Sequence, residues 1–535
     1  MDERTTLEKG SGGLTRRGFI KAAGSAALML GAAKLTSLAD GREKSGAKMN
    51  LVIVTTDDND AESLGCFGCP IPGITPNMDA LAQSGVRFTH AHTASPTCQP
   101  SRLSLMTGRY PQTNGNTGHV DPLKPGVPTL ATRLRNAGYF TAIVGKQPNY
   151  LPTEAFAWDA DFFKHADDFD DTDDGYGTRW ASPKGMYNAT RQYVAEAKKQ
   201  NKPFFLHLNT ADPHRPWPGS IDEAEWYCNA TKAGKKPMIK PMRPYAKTYS
   251  PAEVPVPGYL PDLPGVRVDV AQYYSSLHHA DMAVGRILDA LNETGTADNT
   301  IVVCFGDQGA SFPFSKQNLY RVSTRIPLII RWPGVAKPGT VVDNTMVSII
   351  DLMPTLLEGL GLEQVEGMDG RSVLQVIRDG GGKARDYVHT SYNYALPGVQ
   401  AMPSRAVQST EFLYIYNAWP GERSIQPDRP LGYGPNTDPT SGLCYRAMKD
   451  AAVTDSEIAK RVEFFEKRTR EEFYDLRKDP FCLTNIIEDS AHSAAIKRMR
   501  GMVEEQMVQT SDPLLAKFRG TGPIPPEWLT SIPRK

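Results

Sequence analysis

The 535-residue chain has little cysteine, no net charge and no long apolar run. Its seven cysteines (Cys66, Cys69, Cys98, Cys228, Cys304, Cys444 and Cys482) are few for this length and odd in number. That excludes a dense disulfide framework and leaves at least one thiol for other chemistry. Lys and Arg total 60 against 60 Asp and Glu. A balanced chain carries no footprint for general nucleic-acid binding, so no nucleic-acid partner is expected and any anionic ligand must be met by local groups. No segment reaches the roughly 18 apolar residues of a membrane-spanning helix. With 40% hydrophobic and 22% charged residues, the chain is instead composed to bury an ordinary core in one large or two unequal domains.

At the N-terminus, Arg16 and Arg17 precede a mostly apolar stretch over 22–35 and the small-residue pattern Ser37-Leu38-Ala39. This resembles a twin-arginine export signal. The stretch is too short to span a bilayer comfortably and is interrupted by Lys34. The resemblance implies a signal over 1–39, the twin-arginine export machinery as a partner, and a periplasmic or secreted mature protein. That route carries folded cargo, so modification and metal loading would precede export.

Apolar, β-branched runs at 51–56, 140–144, 204–208, 301–305 and 326–330 alternate with helical stretches, the pattern of βα units around a mainly parallel sheet. The first four runs end beside polar groups: Asp57 and Asp58, Lys146, Asp212 with His214, and Asp307 with Gln308. Ligands of open α/β sheets collect at the carboxyl ends of strands, so these clusters are expected to converge. Residues 76–84 and 270–291 read as amphipathic helices. In the second, His278, His279 and Asp281 are read as structural, since adjacent residues on a helix point in different directions. The stretches 249–265 and 421–442 read as surface loops, and the basic segment 232–243 as a solvated insertion. After about residue 380 short strands (405–408, 412–416) and then helices follow, so a catalytic domain over 40–380 and a smaller C-terminal subdomain over 381–535 are expected.

The sharpest local feature is Cys98-Gln99-Pro100-Ser101-Arg102, continued by Thr107-Gly108-Arg109. No Cys-His hydrolase pattern surrounds this thiol. The string resembles the signature of the type I, formylglycine-dependent sulfatases, and the resemblance extends from Asn50 to Pro480. Local strings at 211–215, 306–313 and 318–320 look most like the heparan N-sulfatase (sulfamidase) branch, which includes bacterial polysaccharide sulfatases. The implied fold is α/β, an alkaline-phosphatase-like sandwich whose large, mainly parallel sheet is flanked by helices and joined to a smaller C-terminal α+β subdomain.

Cleaving a sulfate ester builds negative charge on nonbridging oxygens and on the leaving group, so the site needs a cation, fixed positive side chains and a proton source. Asp57, Asp58, Asp307 and the amide oxygen of Gln308 are hard oxygen ligands of the kind Ca²⁺ takes. By the resemblance, a formylglycine-generating enzyme oxidises Cys98, and the hydrated aldehyde supplies a hydroxyl nucleophile. Asp57, Asp58, Asp307 and Gln308 would bind calcium with the modified Cys98. Arg102 would support the hydrate, Lys146 and Lys316 would contact the sulfate, and His214 would face the leaving-group oxygen.

Two departures stand out. The family usually has Asp-Asn where this chain has Asp307-Gln308, and a His shortly after the Gly-Lys pair where Gly145-Lys146-Gln147-Pro148-Asn149 has none. Asn149 is expected to fill that place; it can hydrogen-bond a sulfate but cannot take up a proton at neutral pH. His119, downstream of the signature, and Arg405 and Asn393, in the C-terminal part, are candidate substrate contacts. An acidic run over 167–175 lacks a Glu ligand at its EF-hand twelfth position, Ala181, and reads as a solvated loop. Cys66 and Cys69 have no second pair to complete a zinc site.

The expected activity is calcium-dependent hydrolysis of sulfate esters or sulfamates on a sulfated carbohydrate. A phosphoester or phosphonate hydrolase of the same superfamily and a non-catalytic sulfated-glycan binder are the alternatives; the maturation signature argues against a binder.

Overall fold

The computed structural model describes residues 48–119, 121–161, 182–221, 223, 245–393, 401–419, 421–422 and 442–525. The expected export signal over 1–39, the acidic run 167–175, the basic segment 232–243, Cys228 and most of the expected loop 421–442 lie outside them. In chain order the strands are β1 (Asn50–Thr56), β2 (Val86–Phe88), β3 (Ala91–His92), β4 (Phe140–Val144), β5 (Ala160–Asp161), β6 (Phe204–Asn209), β7 (Thr300–Gly306), β8 (Leu328–Arg331), β9 (Thr340–Val342) and β10 (Val347–Ser348). Then follow β11 (Tyr387–Tyr392), β12 (Ser404–Ser409), β13 (Phe412–Asn417), β14 (Gly421–Glu422), β15 (Lys467–Arg468) and β16 (Glu471–Asp475).

Strand β1 is buried along its whole length, as a strand covered on both faces must be. Its alternate side chains divide between two cores: Val52 and Val54 enter one, Leu51 and Ile53 the other. The first core is completed by helices Pro183–Lys199 and Pro264–Glu293, and the second by helices Cys98–Thr107, Leu130–Asn136 and Leu352–Gly359. The eight-stranded sheet runs β5-β4-β6-β1-β7-β8-β2-β9, and only β8 opposes the other directions. This is the expected large, mainly parallel sheet with helices on both sides. The run 326–330 becomes strand only from Leu328, because Pro327 has no amide proton for the ladder.

A second, antiparallel sheet has the order β11-β12-β13-β16. One face, with Ala406, Leu413, Ile415 and Tyr474, continues the first core; the other, with Val407, Tyr414 and Phe473, is covered by Met499, Val503 and Met507 of helix Ser493–Gln509. Among the described residues no helix is long and apolar enough to cross a membrane.

His278 and Asp281, one turn apart, both hold the segment 74–78, while the adjacent His279 points to another partner; all three have structural partners. Asp281 accepts hydrogen bonds from the Asn77 and Met78 backbone amides at 3.1 and 2.8 Å and so caps helix Pro76–Gln83, while His278 pairs with the Ile74 carbonyl. His279 faces Asp212 at 2.8 Å. The loop after β6 is thereby tied to the long helix.

Candidate active site

The carboxyl ends of the two central strands carry the acidic groups. Asp57 and Asp58 follow β1, Asp307 and Gln308 follow β7, and all four are fully buried. The Asp58 backbone turns through the left-handed region (φ 62°) and donates its amide to Asp307 Oδ1 at 3.0 Å, locking the two strand ends together. A Cβ on Gly306 would stand 2.1 Å from the Asn59 carbonyl oxygen, so only glycine permits this approach.

Cys98 opens helix Cys98–Thr107 directly against these ends. Its thiol lies 3.4 Å from Asp57 Oδ1 and accepts from Gln308 Nε2 at 3.2 Å. Ser101 and Arg102, one turn on, both grip Asp307. The Ser101 hydroxyl donates to the Asp307 carbonyl at 2.6 Å, and the Arg102 guanidinium donates twice to Asp307 Oδ2, at 2.9 and 2.7 Å. Arg102 also donates to Asn209 Oδ1.

Two lysines close the ring of charge. Lys146 follows β4 in a left-handed conformation (φ 60°) and pairs with Asp57 Oδ2. Lys316 lies on the loop after β7 and reaches Asp58 Oδ1 and Oδ2 at 2.7 and 2.9 Å. That loop bends through left-handed Phe314 and Gln317, the latter anchored by its amide on the Pro96 carbonyl at 3.0 Å.

These contacts set the protonation states. Burial by itself would raise the Asp57 carboxyl, but Lys146, His214, Arg102 and Lys316 around it hold it well below its ordinary value. Asp307 moves up to about 7, through burial and then the Asp57 charge, despite Arg102. Burial and Asp57 push the Cys98 thiol well above its ordinary value. Unmodified, Cys98 is a protonated thiol and a poor nucleophile.

His214 sits on the loop after β6. Its Nδ1 faces the Arg215 carbonyl, which can only accept, and its Nε2 lies 3.9 Å from Asp58 Oδ2. One ligand atom each from Asp57, Asp58, Cys98 and His214 lie within 4.8 Å of one another. Gln308 donates its nitrogen to Asp58 Oδ1 at 2.5 Å, while its Oε1 is buried with no hydrogen-bond partner. Buried carboxylates and an orphaned amide oxygen suit a hard divalent cation. Asp307 fits with less freedom, because both its oxygens already accept hydrogen bonds.

The remaining expected contacts divide. Asn149 closes the turn after Lys146, packed on the Cys98 helix, and its Nδ2 is buried without a partner. His119, half-buried, lies in a loop fastened beside the signature, where Gln99 Nε2 donates to the Asp121 carbonyl at 2.8 Å. Arg405 is a correction. Its guanidinium is buried in a bidentate pair with Asp512 (2.5 and 3.0 Å) and spends Nη1 on Asn393 Oδ1 and two backbone carbonyls. A guanidinium so engaged holds the second sheet together and is not presented to a sugar.

Asn209, Tyr150 and Asn393's tether to Thr117 are the parts that sequence reasoning missed. Asn209 stands one residue beyond the run 204–208, so the strand-end rule could have found it. Tyr150 donates to its Oδ1 at 3.3 Å.

A sequence model described as Sulfatase matches residues 49–362, and one described as N-sulphoglucosamine sulphohydrolase, C-terminal, matches residues 309–427. The chain is 26% identical to N-sulphoglucosamine sulphohydrolase of Homo sapiens, covering 87% of this chain and 91% of that protein. It is 25% identical to an ulvan-active sulfatase of Formosa agariphila (85% and 80% covered) and 24% identical to N-acetylglucosamine-6-O-sulfatase of Bacteroides thetaiotaomicron (91% and 91%). A protein solved with its substrate D-glucosamine-2-N,6-O-disulfate superposes with a TM-score of 0.62 at 19% identity, covering 87% of this chain and 99% of that one. Phosphonate monoester hydrolase of Agrobacterium radiobacter superposes at 0.56 and 18% identity, covering 87% and 96%; such likenesses speak to the fold.

Proposed function

The chain belongs to the sulfatase family and is a sulfuric ester hydrolase, and from that premise we propose that it releases sulfate from a sulfated carbohydrate, as an O-sulfate ester or an N-sulfate, with formylglycine at position 98 and calcium as its cofactors. One observation carries the reading: Cys98, Arg102, Lys146, Lys316 and three buried aspartates meet at the ends of β1, β4 and β7. The matched C-terminal region and the glucosamine- and ulvan-directed relatives favour a sugar.

Formylglycine would supply a hydroxyl nucleophile, and calcium, held by Asp57, Asp58 and Gln308 with Asp307 beside them, would draw charge from the sulfuryl oxygens. Three buried acidic side chains, Asp307 the least acidic of them, face three buried or half-buried cations, so the ring by itself carries little net charge. A divalent cation and an anionic sulfate can then enter together without leaving a large net buried charge. Lys146 and Lys316, each already within reach of the metal-ligating oxygens, are placed to donate to sulfate oxygens. Arg102 orients Asp307 from behind. His214, with Nδ1 committed to a carbonyl, exchanges its proton through Nε2, the nitrogen facing the site.

Export through the twin-arginine route belongs to the same proposal. It rests on Arg16, Arg17 and the apolar stretch after them.

The test is the mass of the Cys98 peptide after co-expression with a formylglycine-generating enzyme, followed by sulfate release from a panel of O- and N-sulfated sugars. An aldehyde and sulfate release support the reading. An unmodified thiol with no release overturns it, and faster cleavage of phosphate or phosphonate esters would transfer the chain to that chemistry.

A further inference from the structure

Asn209 is the last residue of β6, fully buried, between β4 and β1 in the sheet. Its amide is divided between two parts of the site. Oδ1 accepts from Arg102 Nη1 and from the Tyr150 hydroxyl, while Nδ2 donates to the carbonyls of Val144 and Gly145 at 3.0 and 3.1 Å. Gly145 and Lys146 follow one another through the left-handed region, with φ of 73° and 60°. A lysine there is strained, and such a turn persists only where its surroundings hold it.

The hold comes from two sides. Asn209 fastens the carbonyls that enter the turn, and the Asn149 amide closes it on the Lys146 carbonyl at 2.9 Å. Behind Asn209, Tyr150 and Thr55 both contact His207 Nε2, at 3.3 and 3.0 Å. Burial keeps the His207 ring neutral, so this backing contributes no competing charge.

From this division of one amide we infer that Asn209 is a positioning residue, setting the separation of the two cations Arg102 and Lys146 across the sulfate pocket. Without its oxygen, Arg102 loses a partner on the side away from Asp307. Without its nitrogen, the Gly145–Lys146 turn is free to relax and carry the ammonium away from Asp57. The inference rests on the proposed sulfate site, and it concerns geometry that exists whether or not Cys98 is oxidised.

A double-mutant cycle tests it, because a residue acting through Lys146 should matter little once Lys146 is gone. Asn209→Ala, Lys146→Ala and the double variant are compared with the wild type by calorimetric binding of inorganic sulfate and by kcat/KM on an activated aryl sulfate, whose good leaving group keeps slow variants measurable. Asn209→Ala should lose about tenfold or more in each measure, and at least about threefold less than that in the Lys146→Ala background, where only its hold on Arg102 is left to lose. Additive losses in both backgrounds, or wild-type values for Asn209→Ala, overturn the inference. Should the alanine variant not fold, Asn209→Asp keeps the acceptor for Arg102 but loses the donor to Gly145, and it carries the same cycle. A wild type that binds sulfate with this coupling but hydrolyses no ester would defeat the proposed activity and leave the role of Asn209 standing.

Discussion

The side-chain amide of Gln308 joins Cys98 to Asp58, donating to the thiol at 3.2 Å and to the carboxylate at 2.5 Å, while its own oxygen is buried without a partner. The nitrogen serves a carboxylate and a neutral thiol; the oxygen is the atom a cation would use. Gln308→Leu should weaken calcium binding by about tenfold or more, because an apolar side chain of similar size offers no ligand. Gln308→Asn should retain most of the affinity. Chelator-stripped protein titrated with Ca²⁺ by calorimetry decides this, and equal affinities for the wild type and Gln308→Leu would remove Gln308 from the ligand set.

Arg102 and Asp307 form a fully buried pair. Removing one partner strands the other, at about 3–5 kcal/mol. Arg102→Met should therefore lower unfolding stability by about that amount as well as abolish turnover. The double variant Arg102→Met, Asp307→Asn should recover part of the stability and none of the activity. Urea unfolding beside an activity assay separates the two effects, and an unchanged midpoint for Arg102→Met would contradict the pairing.

Arg405 and Asn393 should give opposite signatures. Arg405→Met breaks a buried pair with Asp512 and should cost about 3–5 kcal/mol of stability, with kcat/KM of the folded enzyme nearly unchanged. Asn393 donates to the Thr117 carbonyl at 2.8 Å, in the loop that Gln99 ties beside Cys98. Asn393→Ala should raise KM for a saccharide several-fold and leave small aryl sulfates little affected. Steady-state kinetics on both substrate types check each expectation.

Burial raises the Asp281 carboxyl from 3.8 to about 6, opposed by its hydrogen bonds to Asn77 and Met78. In the unfolded chain it ionises first, so as pH rises from about 4 to about 6 the unfolded state gains proton-release free energy that the folded state lacks. Stability from this group is therefore greatest in acid and falls by about 3 kcal/mol, reaching its lower plateau above about pH 6. Asp281→Asn should flatten that part of the profile. Unfolding free energies of both proteins between pH 4 and 7 should show the difference narrowing toward acid, and parallel profiles would contradict it.

Much of the site was legible in the chain because its parts are local. Strand ends at Asp57, Lys146 and Asp307 follow from runs of β-branched residues, and the start of the Cys98 helix from its own motif. The fate of Arg405 was not legible. A guanidinium at a strand position reads the same whether it meets a sugar or Asp512, 107 residues away. The role of Asn209 was hidden for the same reason, since an asparagine closing a strand resembles any turn residue until its two partners are known.

The sequence alone determined which polar residues stand at the carboxyl ends of the strands and that the Cys98 motif opens a helix, since alternation, turn residues and the motif act over a few positions. Tertiary structure decided how they are paired. Lys316 meets Asp58 across 258 residues, Arg102 meets Asp307 across 205, and Asn209 spans to Gly145 across 64. Such contacts form only when the strands of the sheet have taken their order, and burial then sets the strength of each charge.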